Sequence, residues 1–171
     1  DILLGTQMIA KGLDFPNITL VGVLSADTSL HLPDYRAAEK TFQLMTQVSG
    51  RAGRHDKPGE VFIQTYTPEH YAIELSKEQM YTPFYEREMY TRRHAGYPPY
   101  YYIALIQVSH EDVMIAAEYA GKAADWLRGQ LPFNVSVIGP TTASISRLQN
   151  RYRYQCLIKY KVEPNLIPVL L

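Results

Sequence analysis

The chain has 171 residues, 46% of them hydrophobic, and 17 basic against 17 acidic side chains, for a formal net charge of zero. This suits one ordinary or two small globular domains and excludes a basic tail or a wholly cationic nucleic-acid binder, while leaving local patches open. The single cysteine, Cys156, excludes a disulfide framework or a multi-cysteine zinc site within the chain and reads as a small buried hydrophobe. In chain order, ILLGT (2–6) predicts a short buried strand and NITLVGVLSAD (17–27) a second; QMIAKGLDFP between them is a loop or short helix closed by Pro16. From Tyr35 to about Ala52 the pattern is helical, with Ala38, Thr41, Met45, Val48 and Ala52 forming one apolar face. GEVFIQTY (59–66) is the next strand. TPEHYAIELSK opens a helix with Thr67 as N-cap and Pro68 at the first helical position, and a further helix covers 83–94.

GYPPYYY (96–102) carries two prolines, which predict extended backbone and a domain boundary. After it, 101–109 reads as a strand, 111–131 as an amphipathic helix, NVSVIG and RYRYQCLIKYKV as strands, and a helix begins near Asn165. The expected fold is therefore α/β. Residues 1–95 form part of a parallel sheet, and residues 96–171 a small split βαβ domain lacking its last strand. Both ends read as cuts in a longer protein. With no signal peptide and no apolar run near the ~20 residues of a membrane span, an intracellular, membrane-free protein is expected.

The stretch QVSGRAGR (47–54) carries the strongest chemical signal. On a helix Gln47, Arg51 and Arg54 share a face, turned away from the apolar stripe. Gly50 and Gly53 remove side chains beside the arginines and let another surface approach. Two forked, permanently charged donors beside bare backbone suit a phosphate, although a solvated helix end, where arginine meets the helix dipole, is the bland alternative. GTQMIAKGLDFP follows one strand and precedes another, where loops of α/β sheets bind ligands. There Thr6 and Gln7 offer a hydroxyl and an amide, Lys11 a charge and Asp14 a carboxylate.

Together, GTQMIAKGLDFP and TQVSGRAGR resemble motifs V and VI of superfamily 2 helicases. GEVFIQTYTPEH, YPPY and NRYRYQCLIKY narrow the resemblance to the bacterial primosomal, replication-restart branch. The resemblance implies that residues 1–95 are the C-terminal part of a second RecA-like lobe. It implies that Arg54, then Arg51, reach the ATP γ-phosphate, with Gln47 near phosphate or coupling the lobes. An arginine finger is typically worth roughly 10³–10⁵ in rate. Asp14, with Gly12 and Gly50, falls on the nucleotide side; Thr6, Gln7 and Lys11 fall on the DNA-backbone side. The phosphate-binding loop, the DExH box for magnesium and the zinc-binding cysteines are expected upstream. Gly121-Lys122 is followed by Ala123, not Ser or Thr, and is no phosphate loop. By the same resemblance the whole protein is an ATP- and Mg-dependent, 3′ to 5′ DNA helicase of the bacterial cytoplasm and nucleoid. It recognises stalled forks and starts primosome assembly with single-stranded-DNA-binding protein and other primosome proteins. This chain alone is expected to be inactive and to bind no cofactor.

The segment 147–161 holds five basic residues and no acidic one. Alternation puts Arg151, Arg153, Gln155, Lys159 and Lys161 on one face and Tyr152, Tyr154, Cys156, Ile158 and Tyr160 on the other. The tyrosines are then core or half-buried and not base platforms, while the basic face either holds DNA phosphates or is solvated; the resemblance favours DNA or docking of single-stranded-DNA-binding protein. YPPY reads as a stiff aromatic-packed spacer, with a peptide- or DNA-contacting wedge as the alternative; Arg92-Arg93 reads as solvated or touching a phosphate, and the five histidines as surface residues without metal-ligand spacing. Two other readings stay open: a non-catalytic DNA- and partner-docking module, and a different superfamily 2 helicase.

Overall fold

Two short strands begin the architecture in the computed structural model, which describes residues 2–6, 18–50, 52, 59–162 and 166–170. β1 (Leu20–Val23) and β2 (Glu60–Ile63) pair in parallel, with Val21 opposite Val61 and Val23 opposite Ile63. Those four residues turn to the half-buried face, while Leu20 and Phe62 stay exposed on the other. NITLVGVLSAD is thus a four-residue, one-sided strand rather than one buried throughout. ILLGT is not a strand: residues 2–6 have no regular structure and are exposed, with Ile2 at 98%. An apolar run alone cannot form a strand without a ladder to join.

Between β1 and β2 run a single turn, α1 (Asp27–Leu30), which the sequence pattern did not predict, and α2 (Ala37–Ser49). The buried stripe of α2 is Ala37, Thr41, Phe42, Met45 and Val48. Ala38 is only half-buried, and Ala52 lies beyond the helix. Thr41 is tolerated inside because its hydroxyl donates to Ala37 O (2.8 Å). Phe42 stacks on Phe84 at 4.0 Å, and Met45, Ile73 and Ala72 close the same core. The next helix, α3, spans Tyr71–Lys77, and its N-cap is His70, whose Nδ1 accepts from Ala72 N–H at 3.2 Å. Thr67 is not the cap, because its hydroxyl is committed to Asp27. α4 (Tyr81–Ala95) follows and buries Phe84, Glu88 and Arg92, spaced four apart. Arg92 is therefore buried rather than solvated, while Arg93 stays exposed, its guanidinium 5.8 Å from the Tyr100 ring.

The chain divides into two compact units, Asp1–Tyr90 and Thr91–Leu171. In the second, residues 98–100 form a turn rather than extended backbone. Tyr100 and Tyr101 N–H both donate to Tyr97 O, bonds that close the chain on itself. Three antiparallel strands follow, in the order β3–β5–β4: β3 (Tyr102–His110), β4 (Ser136–Leu148) and β5 (Arg151–Tyr160). Gln149 and Asn150, both at positive φ, make the two-residue turn between β4 and β5. α5 (Val113–Gln130) is capped by Asp112, whose Oδ1 accepts from Met114 and Ile115 N–H. It lays Ala116, Ala120, Ala124 and Leu127 on the sheet. α6 (Leu166–Leu170) adds Leu166 to the core around Ile158 and Leu127. The order β-α-β-β-α matches the split βαβ pattern.

Candidate functional site

The C-terminal end of α2 positions the first candidates. Gln47 is half-buried in the last turn of the helix. Gly50 caps the helix with its N–H on Thr46 O at 3.2 Å. Its φ of −74° is open to any residue, and a Cβ there would meet Gln47 O at 3.7 Å and Thr46 O at 3.8 Å, ordinary contacts. Neither backbone strain nor crowding among the described residues requires glycine at this point. In the same turn Thr46 Oγ1 is buried, with no hydrogen-bond partner among the described residues. Gln7, Lys11, Gly12, Asp14, Arg51 and Arg54 lie outside the described residues, and Thr6 is exposed in irregular backbone.

At the carboxyl ends of β1 and β2 the structure builds a site that the motif reading did not single out. Asp27, 7% exposed, accepts the Thr65 and Thr67 hydroxyls on Oδ1, each at 3.0 Å, and the Tyr66 N–H on Oδ2 at 3.1 Å. Burial alone would raise its pKa, but the Tyr66 N–H and the two threonine hydroxyls outweigh it and hold the carboxyl below its ordinary value. The signal was an acid shortly after β1 and a Thr-x-Thr shortly after β2. Neither element is informative until the parallel register brings them together. Nearby, Asp34 binds Lys40 Nζ (2.6 Å) and the Arg36 N–H (2.9 Å), which reverse the effect of desolvation and hold this carboxyl well below the usual range.

The basic residues of β5 share a face as alternation requires, but each already has a partner. Arg151 donates to Ser109 O at 2.7 Å, and Arg153 clasps Gln107 Oε1 through Nε and an Nη at 3.1 and 2.7 Å. Lys159 donates to Ala95 O at 2.8 Å with its ammonium 3.6 Å from the Tyr97 ring, while Lys161 lies one residue past the end of β5, not on its face, 5.1 Å from the Tyr101 ring. Arg151 and Lys161 remain exposed, while Arg153 and Lys159 are half-buried. On the opposite face Cys156 and Ile158 are buried, and Tyr152, Tyr154 and Tyr160 half-buried. The histidines are not all surface residues, since His70 is a half-buried cap and His110 Nδ1 accepts from Asp112 N–H at 2.9 Å. Among the described residues no three His, Cys, Asp or Glu side chains gather as a metal site, and no helix is long and apolar enough to cross a membrane.

Comparison with known proteins accounts for both units. Residues 1–56 match the helicase conserved C-terminal domain, a RecA-like lobe, and residues 93–170 match the primosomal protein N C-terminal domain. The Bacillus subtilis protein named replication restart protein PriA is 63% identical over 170 residues, 99% of this chain and 21% of that protein. Its Synechocystis namesake is 45% identical over 171 residues, 100% of this chain and 20% of that one. The Treponema pallidum namesake is 40% identical over 159 residues, 93% of this chain and 24% of that one. The chain spans about a fifth of the length of the curated relatives it matches. With a helicase-lobe match at one end, a primosomal domain match at the other and this identity running through both, the chain belongs to the PriA family of replication restart proteins.

Proposed function

We propose that this chain is the end of the second motor lobe, plus the C-terminal domain, of an ATP-dependent DNA helicase that restarts replication. The observation carrying the reading is 63% identity along 99% of the chain to a replication restart protein, with QVSGRAGR beginning in the last turn of α2. In this reading Arg54 and Arg51 offset the negative charge that develops on the ATP γ-phosphate during hydrolysis, where preorganised cations act most strongly. Gln47 acts near phosphate or in coupling the lobes, and Asp14, Gly12 and Gly50 serve the nucleotide side. Thr6, Gln7 and Lys11 hold the DNA backbone. The phosphate-binding loop, the magnesium site and the zinc-binding cysteines belong to other parts of the protein, so this chain alone hydrolyses nothing.

Translocation runs 3′ to 5′ on forks, in the bacterial cytoplasm, with single-stranded-DNA-binding protein and other primosome proteins as partners. Of the four cations singled out at 151–161, Arg151 and Lys161 are the exposed ones and are open to a phosphate from solvent. Arg153 and Lys159 first serve the sheet and the turn beside it. The test is single-stranded-DNA-stimulated ATPase of the full-length protein, wild type against Arg54→Ala. The expected loss is about 10³-fold, with DNA affinity and thermal stability unchanged. Near-normal hydrolysis would refute the γ-phosphate role and favour a docking module.

A further inference from the structure

The Asp27 cluster does more than join two strands. Past the ends of β1 and β2 the parallel ladder already continues through Gln64 N–H to Val23 O (2.9 Å) and Ala26 N–H to Gln64 O (3.0 Å). Asp27 then adds three hydrogen bonds to the next three residues, and Thr67 N–H donates to Thr65 Oγ1 at 3.0 Å. Thr65 and Thr67 are drawn inward, so alternation turns Tyr66 between them outward. It is 88% exposed on a backbone fixed from both sides.

Among the exposed tyrosines this one stands apart. Tyr81 stacks on Tyr85 and Tyr102 on Tyr160, while Tyr100 lies against Arg93 and Tyr119 against Lys122. Among the described residues neither a ring nor a cation lies against Tyr66. A bare aromatic ring on a rigid support, outside the carboxyl ends of parallel strands, sits where α/β sheets take ligands. With both π-faces uncovered among the described residues, the ring suits a planar partner, and the held backbone lowers the entropy lost on binding.

Resting on the helicase reading above, we infer that Tyr66 is a base-stacking platform for single-stranded DNA and that Asp27 is its positioning residue. The ring takes a nucleobase face to face, whatever its identity, since every base offers a π-face. Phosphates are held elsewhere.

The test uses the full-length protein and two probes, an oligothymidylate and an abasic strand of the same length. Tyr66→Ala should weaken oligothymidylate binding by about 5- to 150-fold, the range for one lost base stack, and leave abasic binding and the salt slope unchanged. Tyr66→Phe keeps the ring and should bind within about two-fold of wild type. Equal affinity of Tyr66→Ala and wild type for oligothymidylate would overturn the inference, as would an equal loss on both probes. If the wild-type ATPase is not stimulated by DNA at all, the helicase reading itself fails. If it is stimulated and Tyr66→Ala binds normally, only the stacking role fails.

Discussion

Gly50→Ala separates a structural glycine from one kept for a neighbour. The backbone at Gly50 is at φ −74°, and the added methyl would stand 3.7 Å from Gln47 O and 3.8 Å from Thr46 O. Both are van der Waals distances, so the folded state loses nothing among the described residues. The unfolded chain, however, loses freedom when glycine becomes alanine, which stabilises the fold by about 0.4–1 kcal/mol. In a thermal melt the substitution should therefore leave the midpoint unchanged or raise it by no more than about 4 °C. Activity should move the other way. On the proposed reading, bare backbone at the end of α2 lets the nucleotide side of the motor close, and a methyl there displaces reacting groups by up to about an ångström. A misplacement of that size costs up to about 100-fold in rate. DNA-stimulated ATPase of the full-length protein reads this directly. Unchanged hydrolysis would refute the close-approach argument. A large fall in melting temperature would refute the steric one, showing that α2 itself needs the glycine.

His70 gives a pH prediction. Burial lowers its pKa from the ordinary value; Glu88 and Glu69 pull it back, and His31 and Arg87 push it further down. The cap needs the Nδ1 lone pair that accepts the Ala72 N–H, so the folded state favours the neutral ring. That contribution is complete above the unfolded pKa of about 6.5 and fades as the pH falls through the lowered folded value. Melting temperature should drop between about pH 7.5 and about pH 5, and His70→Asn, which can still cap, should flatten the dependence. In the second unit Gly139 has φ +108°, and a Cβ would stand 2.9 Å from Gln155 O, a backbone atom of the neighbouring strand. Gly139→Ala should cost roughly 1–3 kcal/mol, measured by denaturant titration; a variant as stable as wild type would refute the clash.

What the sequence made legible follows from periodicity. The α2 stripe through Thr41, Met45 and Val48, and the two faces of β5, were readable because one face of each is covered and the pattern records it. β4 was readable only at its start. Pro140 and two register breaks, between Ile138 and Thr141 and between Thr142 and Arg147, hide a strand that runs on to Leu148. Thr67 carried every local sign of an N-cap, yet a tertiary partner forty residues away claimed its hydroxyl. The same partner explains why Asp27 was invisible, since a carboxylate's value as a clamp depends on which strands lie side by side. In the site, residue type and spacing pointed to the end of α2, where Gln47 and Gly50 are found. Nothing local distinguished Tyr66 from the chain's thirteen other tyrosines.

The two candidate regions of the first unit lie at opposite ends of one short piece of sheet. β1 and β2 are parallel, so the connection between them must return the chain to the amino end of β2, and α2 is the main element of that return. Gly50 therefore ends α2 toward the amino ends of the strands, and Tyr66 projects from the carboxyl end of β2. Four residues of strand span only ~13 Å. Asp27 makes that distance rigid at one end by closing β1, α1 and the residues after β2 around one buried carboxylate. On the proposed reading, nucleotide chemistry at the α2 end and base contact at the Tyr66 end share this support. In that reading, a motor that couples hydrolysis to stepping along DNA would use this shared support to pass a shift from one end to the other.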